Sequence, residues 1–394
     1  MSSRDRFLWM VGIENAVIPD MNVDEYAWTR HRERWREDLA LAREAGANAI
    51  RYGVTWPEVE QKPGRYDWHG VDEVVDELVR LGLEPVWDLV HFGTPAWLEG
   101  GVQHPEFADR FARYAAAFAE RYRGTVAKLT PWNEPYITCW FRAGWGIWPP
   151  HLTGRDGFVR YLHPLVTGLR RAIREVARVA PDTEIWLNDG ADTFHAVTPD
   201  LRQEAAFRSL QRYAAFDLLL GLAEPGQETY DWLRQADFPE RDLSDEPVEI
   251  HVIGLDYYPE TEHDLVRGED GPLETPRATN PLGLAATAVA YQLRYDRPLF
   301  VAESSASGSD EERRAWIDWN LSEMRVARAG GVDWRGYTWW PLFDHVDWNT
   351  LLRQHDGFVC PAGLYHLTPT VSDRAPTDAV DAFRAAVRSG LGAA

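Results

Sequence analysis

Eight short apolar runs, each separated from the next by a longer stretch, most with helical period, limit what this chain can fold into. The runs are FLWMVGI (7–13), NAIRYGVTW (48–56), LEPVWDLV (83–90), VAKLTPW (126–132), TEIWLND (183–189), VEIHVIGLDYY (248–258), RPLFVAE (297–303) and WRGYTWWPLF (334–343). Helical periodicity fills 30–46, 70–82, 105–122, 157–179, 282–295, 310–330 and 376–390. In the first of these Trp35, Leu39 and Ala42 fall at i, i+4 and i+7, and Gly46 stands where a helix stops. The second repeats the pattern with Val71, Val74, Val75 and Leu78 before Gly82. Strands that are apolar along most of their length suit parallel pairing under a cover of helices, not a half-exposed antiparallel sheet. Eight such βα units predict an α/β fold, a closed (β/α)8 TIM barrel forming a single domain over 1–394, with no sheet edge left to protect. An open doubly wound sheet is the alternative, but no G-x-G-x-x-G phosphate loop follows the first run. Two stretches, 224–247 and 259–281, read as long loops.

Charge and cysteine content exclude several function classes. A net charge of −21 leaves no basic surface for a phosphate backbone, so nucleic acid is not an expected partner. Lysine occurs only at Lys62 and Lys128. Cys139 and Cys360 are too few for a disulfide framework or a thiolate metal site and are read as reduced. The start, MSSRDRFLWMVGIEN, turns polar too early for a secretory core, and no run of about 18 apolar residues occurs, so the expectation is a cytoplasmic protein without a membrane partner. Nothing in the chain speaks to its oligomeric state.

In a barrel of this kind chemistry sits at the C-terminal ends of the strands. Those ends carry Arg51 and Trp56; Asp88, His91 and Phe92; Asn133 and Glu134; Asn188 and Asp189; Asp256, Tyr257 and Tyr258; Glu303; and Trp339 and Trp340. Glu134 and Glu303 end the fourth and seventh strands, which face each other across a barrel. Two facing carboxyl groups suit glycoside hydrolysis: about 5 to 5.5 Å apart they permit a covalent intermediate and retention, and about 6.5 to 9.5 Å apart they leave room for a water and inversion. One must stay protonated, with its neighbour's charge raising its pKa, and the other must be ionised, with Arg51 and a tyrosine hydroxyl to hold it so. Taken singly, each residue has a plainer explanation: a solvated glutamate, a satisfied histidine, a core tryptophan. Their joint placement at successive strand ends shifts the balance. Asp344, His345, Asp347, His355 and Asp356 form a further polar group, but their spacing matches no metal-ligand pattern. No G-x-S-x-G elbow and no P-loop occur.

Taken in order, FLW, RYGVTW, DLVHFGTP, TPWNEP, IGLDYY, FVAES and GYTWWPLFDHVDW resemble the family 1 glycoside hydrolases, the β-glucosidase family of (β/α)8 retaining enzymes, over residues from about 7 to about 348. The resemblance implies that Glu134 is the general acid/base and Glu303 the nucleophile. It further implies that Arg51 and Tyr258 hold the nucleophile, that Asn133 bonds the sugar 2-hydroxyl, that His91 reaches other hydroxyls, and that Trp340 forms the platform under the ring. No cofactor is implied, and the partner is a carbohydrate or glycoside substrate.

The chain departs from that family where sugars are read. Gly12 stands where a sugar-binding glutamine is usual, leaving Glu14 or Asn15 to substitute. Phe92 replaces a tryptophan, Ala302-Glu303-Ser304-Ser305 replaces Thr-Glu-Asn-Gly, and Asp256 replaces an asparagine. Asp347 and Trp348 replace the Glu-Trp pair that reads the outer hydroxyls; with Asn188 they complete the expected substrate-binding set. An altered shell of hydrogen bonds points to a glycone other than glucose, because an unpaired buried polar group costs roughly 1 to 3 kcal/mol. The short chain further implies an open cleft suited to oligosaccharides or glycoconjugates. Transfer of the sugar to another acceptor, a related barrel hydrolase of different specificity, and a barrel that binds sugar without cutting it are the alternatives.

Overall fold

The computed structural model describes residues 6–243, 245–268, 271–367 and 373–391. Eight parallel strands close into a barrel: β1 Leu8–Gly12, β2 Ala49–Gly53, β3 Glu84–Asp88, β4 Lys128–Thr130, β5 Glu184–Gly190, β6 Val252–Asp256, β7 Leu299–Glu303 and β8 Trp334–Trp339. Each strand pairs with its neighbours in sequence, and β8 pairs with β1 to close the ring. The TIM barrel expected from the alternation is therefore present. Seven strands lie inside their apolar runs, and β5 starts inside its run and extends one residue past it to Gly190.

The helices α1 His31–Glu44, α2 His69–Leu81, α3 Phe107–Arg121, α4 Gly154–Val179, α5 Leu284–Tyr295, α6 Asp310–Ala329 and α7 Asp378–Ser389 follow the predicted segments to within three residues at each end. Local chemistry sets the ends. Ser309 and Glu312 form a reciprocal capping box at the start of α6, and Gly82, at φ +65°, terminates α2 in the left-handed conformation that glycine tolerates best. None of the helices among the described residues is long and apolar enough to cross a membrane.

The two predicted loops are corrected. Helices Glu228–Gln235 and Glu240–Leu243 lie within 224–247, and strands Glu262–Arg267 and Leu273–Glu274 lie within 259–281; residues 244, 269 and 270 fall outside the described residues. The strands join Thr193–Ala196 in a side sheet. Its anchor is Glu262, whose buried carboxylate accepts from the Tyr257 hydroxyl at 2.7 Å and the backbone N–H groups of Leu282 and Gly283 at 2.7 and 2.8 Å, and faces His195 at 2.6 Å. All these partners are distant in sequence or come from other elements, so no window over HDLVRGEDGPLE carries the signal.

Inside the barrel, alternate residues of each strand point inward. Leu8, Met10, Ala49, Val86, Trp186, Val252, Phe300 and Ala302 form a buried apolar cluster. Two residues further along four of these strands the inward positions become Arg51, Asp88, Asn188 and, past Gly254, Asp256. Glu303 breaks the alternation, because the pairing of β7 with β6 shifts register between Val301 and Glu303. Such a shift re-aims a side chain, and here it turns Glu303 into the barrel mouth.

Candidate active site

Arg51 is the hub of the mouth. Fully buried, its guanidinium donates to Glu303 Oε1 at 2.6 Å, Asp88 Oδ2 at 3.1 Å, Asn133 Oδ1 at 2.8 Å and the Ala302 carbonyl at 3.2 Å. A buried cation is tolerated only when paired in this way, and the pairing orients all its partners at once. The other oxygen of Glu303 accepts from the Tyr258 hydroxyl at 2.9 Å. Burial pushes the Glu303 carboxyl up, while Arg51 and His91 pull against that rise.

Glu134 follows β4 in a left-handed backbone conformation, φ 48°, at the N-terminus of the short helix Pro135–Cys139. That helix start is held by Asp189 from the end of β5, whose carboxylate accepts the N–H of Tyr136 at 2.7 Å and is 3.4 Å from that of Ile137. The oxygens of Glu134, Asp256 and Glu303 come within 4.8 Å of one another. Burial drives the Glu134 carboxyl well above its ordinary range, and the negative charges of Asp256, Glu303 and Asp189 add to the rise. Asp256 and Asp189 are raised as well, burial again being the main cause. Among the described residues Glu134, Asp256 and Glu303 form the one group compact enough to consider for a metal, and Arg51 already supplies a positive charge beside Glu303.

The polar shell is continuous. His91 Nδ1 bonds Asp88 Oδ2 at 2.8 Å, and its Nε2 stands 3.5 Å from Glu14 Oε1 and 3.4 Å from Asn133 Nδ2. Asn188 Nδ2 donates to Asn133 Oδ1 at 2.7 Å and Asp256 Oδ2 at 2.5 Å. Glu14 accepts from Trp340 Nε1 at 3.3 Å and lies 3.9 Å from His345 Nδ1. Burial alone would raise Glu14, but His91 and His345 outweigh it and hold the carboxyl below its usual range. His345 moves the other way, to about 10: burial opposes the charge, and Cys360 and Glu14 more than compensate.

The structure therefore brings Arg51, His91, Asn133, Glu134, Asn188, Tyr258, Glu303, Glu14 and Trp340 together. Trp340 is walled in, with 2% of its surface exposed, its ring parallel to His91 at 5.4 Å and under the Arg51 guanidinium at 4.6 Å. It fills the space that a side chain at position 12 would need: a Cβ on Gly12 would stand 1.9 Å from Trp340 Cε3. Asp347 is buried and accepts the Phe358 N–H at 2.7 Å, while Trp348 stays half-buried beside Phe92, Trp148 and His345. Asp344 faces His366 and the Gly363 N–H, and His355 faces the Met21 carbonyl, so the polar group around 344–356 is dispersed among separate partners. The open cleft expected from chain length is not met at its base, where Glu134 keeps 9% exposure and Glu303 4%. Asp88 and Asp189, which tie the site together from behind, carry no sequence signal beyond their place at strand ends. Cys139 and Cys360 are both free and buried.

The chain as a whole is similar in sequence and fold to known β-glucosidases. The model of glycosyl hydrolase family 1 matches residues 2–258. β-Glucosidase A of Thermotoga maritima is 23% identical over 386 residues, covering 88% of this chain and 84% of the relative. The bifunctional β-D-glucosidase/β-D-fucosidase of Bifidobacterium breve is 26% identical over 416 residues, covering 89% and 86%. The solved structure of the Thermotoga maritima β-glucosidase with noeuromycin superposes with a TM-score of 0.82 at 20% identity over 97% of both chains.

Proposed function

The chain belongs to glycosyl hydrolase family 1, and from that premise we propose that it is a retaining β-glycosidase with Glu303 as nucleophile and Glu134 as general acid/base. The observation that carries this reading is the approach of one oxygen each of Glu134 and Glu303 to within 4.8 Å, which accords with the carboxyl separation of about 5 to 5.5 Å of a retaining site. Their environments also divide the roles. Glu303 has a guanidinium on one oxygen and a phenol on the other, which stabilise its carboxylate. Glu134 has no cation partner among the described residues and faces other carboxyls, which stabilises its acid form.

In the first step the Glu134 proton passes to the glycosidic oxygen as the bond from that oxygen to the anomeric carbon breaks and Glu303 bonds to the carbon. In the second step the Glu134 carboxylate takes a proton from water, whose oxygen displaces Glu303 and leaves the anomeric configuration as it began. Asn133 and His91, fixed by Arg51 and Asp88, meet the sugar hydroxyls nearest the reacting carbon. Glu14 takes the place of the missing glutamine, at the position that Trp340 denies to residue 12. Asp347 gives one carboxylate oxygen to the Phe358 N–H, which leaves its other oxygen and Trp348 to meet the substrate. The cations beside Glu14 are His91 and His345, both already paired with carboxylates, so the pocket suits a neutral glycone and not a phosphorylated one. The mechanism needs no cofactor.

A panel of nitrophenyl β-glycosides (gluco, galacto, fuco, manno, xylo, glucuronide) tests the reading. Glu303→Gln is expected to lose at least about 10⁴-fold in kcat, and azide to restore turnover to Glu303→Gly. Full activity in Glu303→Gln, or an inverted product from the wild type, overturns it. Tight sugar binding without hydrolysis across the panel favours a binding barrel instead.

A further inference from the structure

A two-glutamate mechanism assigns no part to Asp256, yet this third carboxyl sits at the reacting centre, at the end of β6 where the resembled family usually has asparagine. It is 1% exposed. Its Oδ2 accepts from Asn188 Nδ2 at 2.5 Å, and Asn188 is in turn locked by donating to Asn133 at 2.7 Å. Its Oδ1 is buried and receives no donor. The group beside it is the Glu134 carboxyl, with one oxygen of each residue inside the same 4.8 Å cluster. A buried acceptor without a donor is unfavourable, and protonated Glu134 supplies the donor that is missing.

We propose that Asp256 is a positioning residue for the acid step: its carboxylate accepts a hydrogen bond from protonated Glu134 and holds that proton, and the side chain that carries it, toward the glycosidic oxygen. The proposal rests on reading Glu134 as the general acid. An asparagine at 256 turns an N–H toward Glu134 and so favours the carboxylate form, whereas an aspartate offers only acceptors and favours the acid.

The surrounding charges point the same way. Glu134 is faced by Asp189 from β5, by Asp256 from β6, by the Tyr258 hydroxyl just after β6 and by Glu303 from β7. The cations are Arg51 from β2, occupied by Glu303, Asp88 and Asn133, and His91 after β3, occupied by Asp88 and Glu14. Burial raises both members of the Glu134–Asp256 pair, and only Asp256 has groups that pull against that rise, Arg51 and the Asn188 amide. Asp256 has a donor in Asn188 while Glu134 has no cation partner among the described residues, so the proton of the pair is placed on Glu134. When it leaves for the glycosidic oxygen, two carboxylates are left facing each other, which makes Glu134 a stronger base for the water of the second step. Asp256 forms and breaks no covalent bond.

The test is a pH titration of protein enriched with δ-¹³C-glutamate, followed by NMR, in wild type and Asp256→Asn. The Glu134 resonance is identified by its loss in Glu134→Gln, and no substrate is required. The midpoint is expected to fall by at least about one pKa unit in Asp256→Asn, a tenfold loss of proton affinity. The alkaline limb of kcat/KM on the best 4-nitrophenyl β-glycoside should move down by the same amount. A midpoint that stays or rises overturns the proposal, and a purely structural role would lower Tm without moving it. Should Asp256→Asn fail to fold, Asp256→Ser makes the same comparison. If Glu134→Gln still hydrolyses an unactivated alkyl β-glycoside at the wild-type rate, the acid/base reading itself fails; an inactive Glu134→Gln with an unmoved midpoint sinks only the role of Asp256.

Discussion

The lower and upper halves of the barrel interior are built by the same strands, buried to the same depth, and opposite in chemistry. Below, Leu8, Met10, Ala49, Val86, Trp186, Val252, Phe300 and Ala302 pack as an apolar plug. Above, Arg51, Asp88, Asn188, Asp256 and Glu303 form a hydrogen-bonded charge network, with Arg51, Asp88 and Asn188 fully buried. The plug contributes stability by area and shape and tolerates volume-conserving change. The network contributes geometry: each of its charges is acceptable only while its partners stay, so it is intolerant of any single removal. The lower half holds the barrel at a fixed radius, and the upper half uses that rigidity to hold facing carboxyls close together against their mutual repulsion.

Removing the hub should show the difference most strongly. Arg51→Met leaves Asp88 and Glu303 buried without a cation and is expected to destabilise the fold by about 3 to 5 kcal/mol and to lower kcat at least about a hundredfold. Denaturant unfolding and steady-state kinetics on one preparation measure both. Phe300→Ala, in the plug, should lose a similar 3 to 5 kcal/mol, roughly, through its cavity, yet leave the pH–rate profile of the surviving enzyme unmoved. A shifted profile there would mean that the two halves are not separable.

Gly12→Ala sets a new methyl against the Trp340 ring and should destabilise by about 1 to 3 kcal/mol, with Trp340→Ala in the same chain relieving the clash. No loss in the single variant would mean that Trp340 moves freely and does not fix the space above Gly12. The pH dependence of stability sharpens the comparison further. Glu134, Asp256 and Asp189 have folded values above their ordinary range, so their contribution is complete in acid and is lost as pH rises through those folded values. Glu14, held below its ordinary value, works in the reverse sense and loses its contribution as pH falls. Glu134→Gln should therefore flatten the alkaline fall in Tm relative to wild type; an unchanged slope would place the titrating groups elsewhere. Smallest of all, Arg267→Ala, which cuts an exposed pair with Asp200 at 3.0 Å, should leave both Tm and activity unchanged.

How much of this was legible beforehand divides along the same line. Barrel strands and their helices follow from periodicity, because burial on both faces leaves continuous apolar runs that a linear pattern records. The side sheet was not legible: Glu262 gathers Tyr257, Leu282, Gly283 and His195, and no local window contains that set. At the site, Arg51, Glu134, Tyr258 and Glu303 stand out by type and place. The inward aim of Glu303 was hidden, since simple alternation along β7 turns it outward and only the register shift against β6 brings it in.

By itself, then, the order of residues determined an eight-unit barrel, the strand ends that carry its polar groups, and the pair of glutamates that face across it. These are consequences of period and spacing, properties of a line of residues. Tertiary structure alone decided that Trp340 occupies the space above Gly12, that Asp347 is tied to Phe358, that Asp189 sets the helix behind Glu134, and that Asp256 is left with one open acceptor against it. Each depends on distances of a few ångströms between strands remote in sequence, and hydrogen bonding and desolvation change with such distances while composition and periodicity do not.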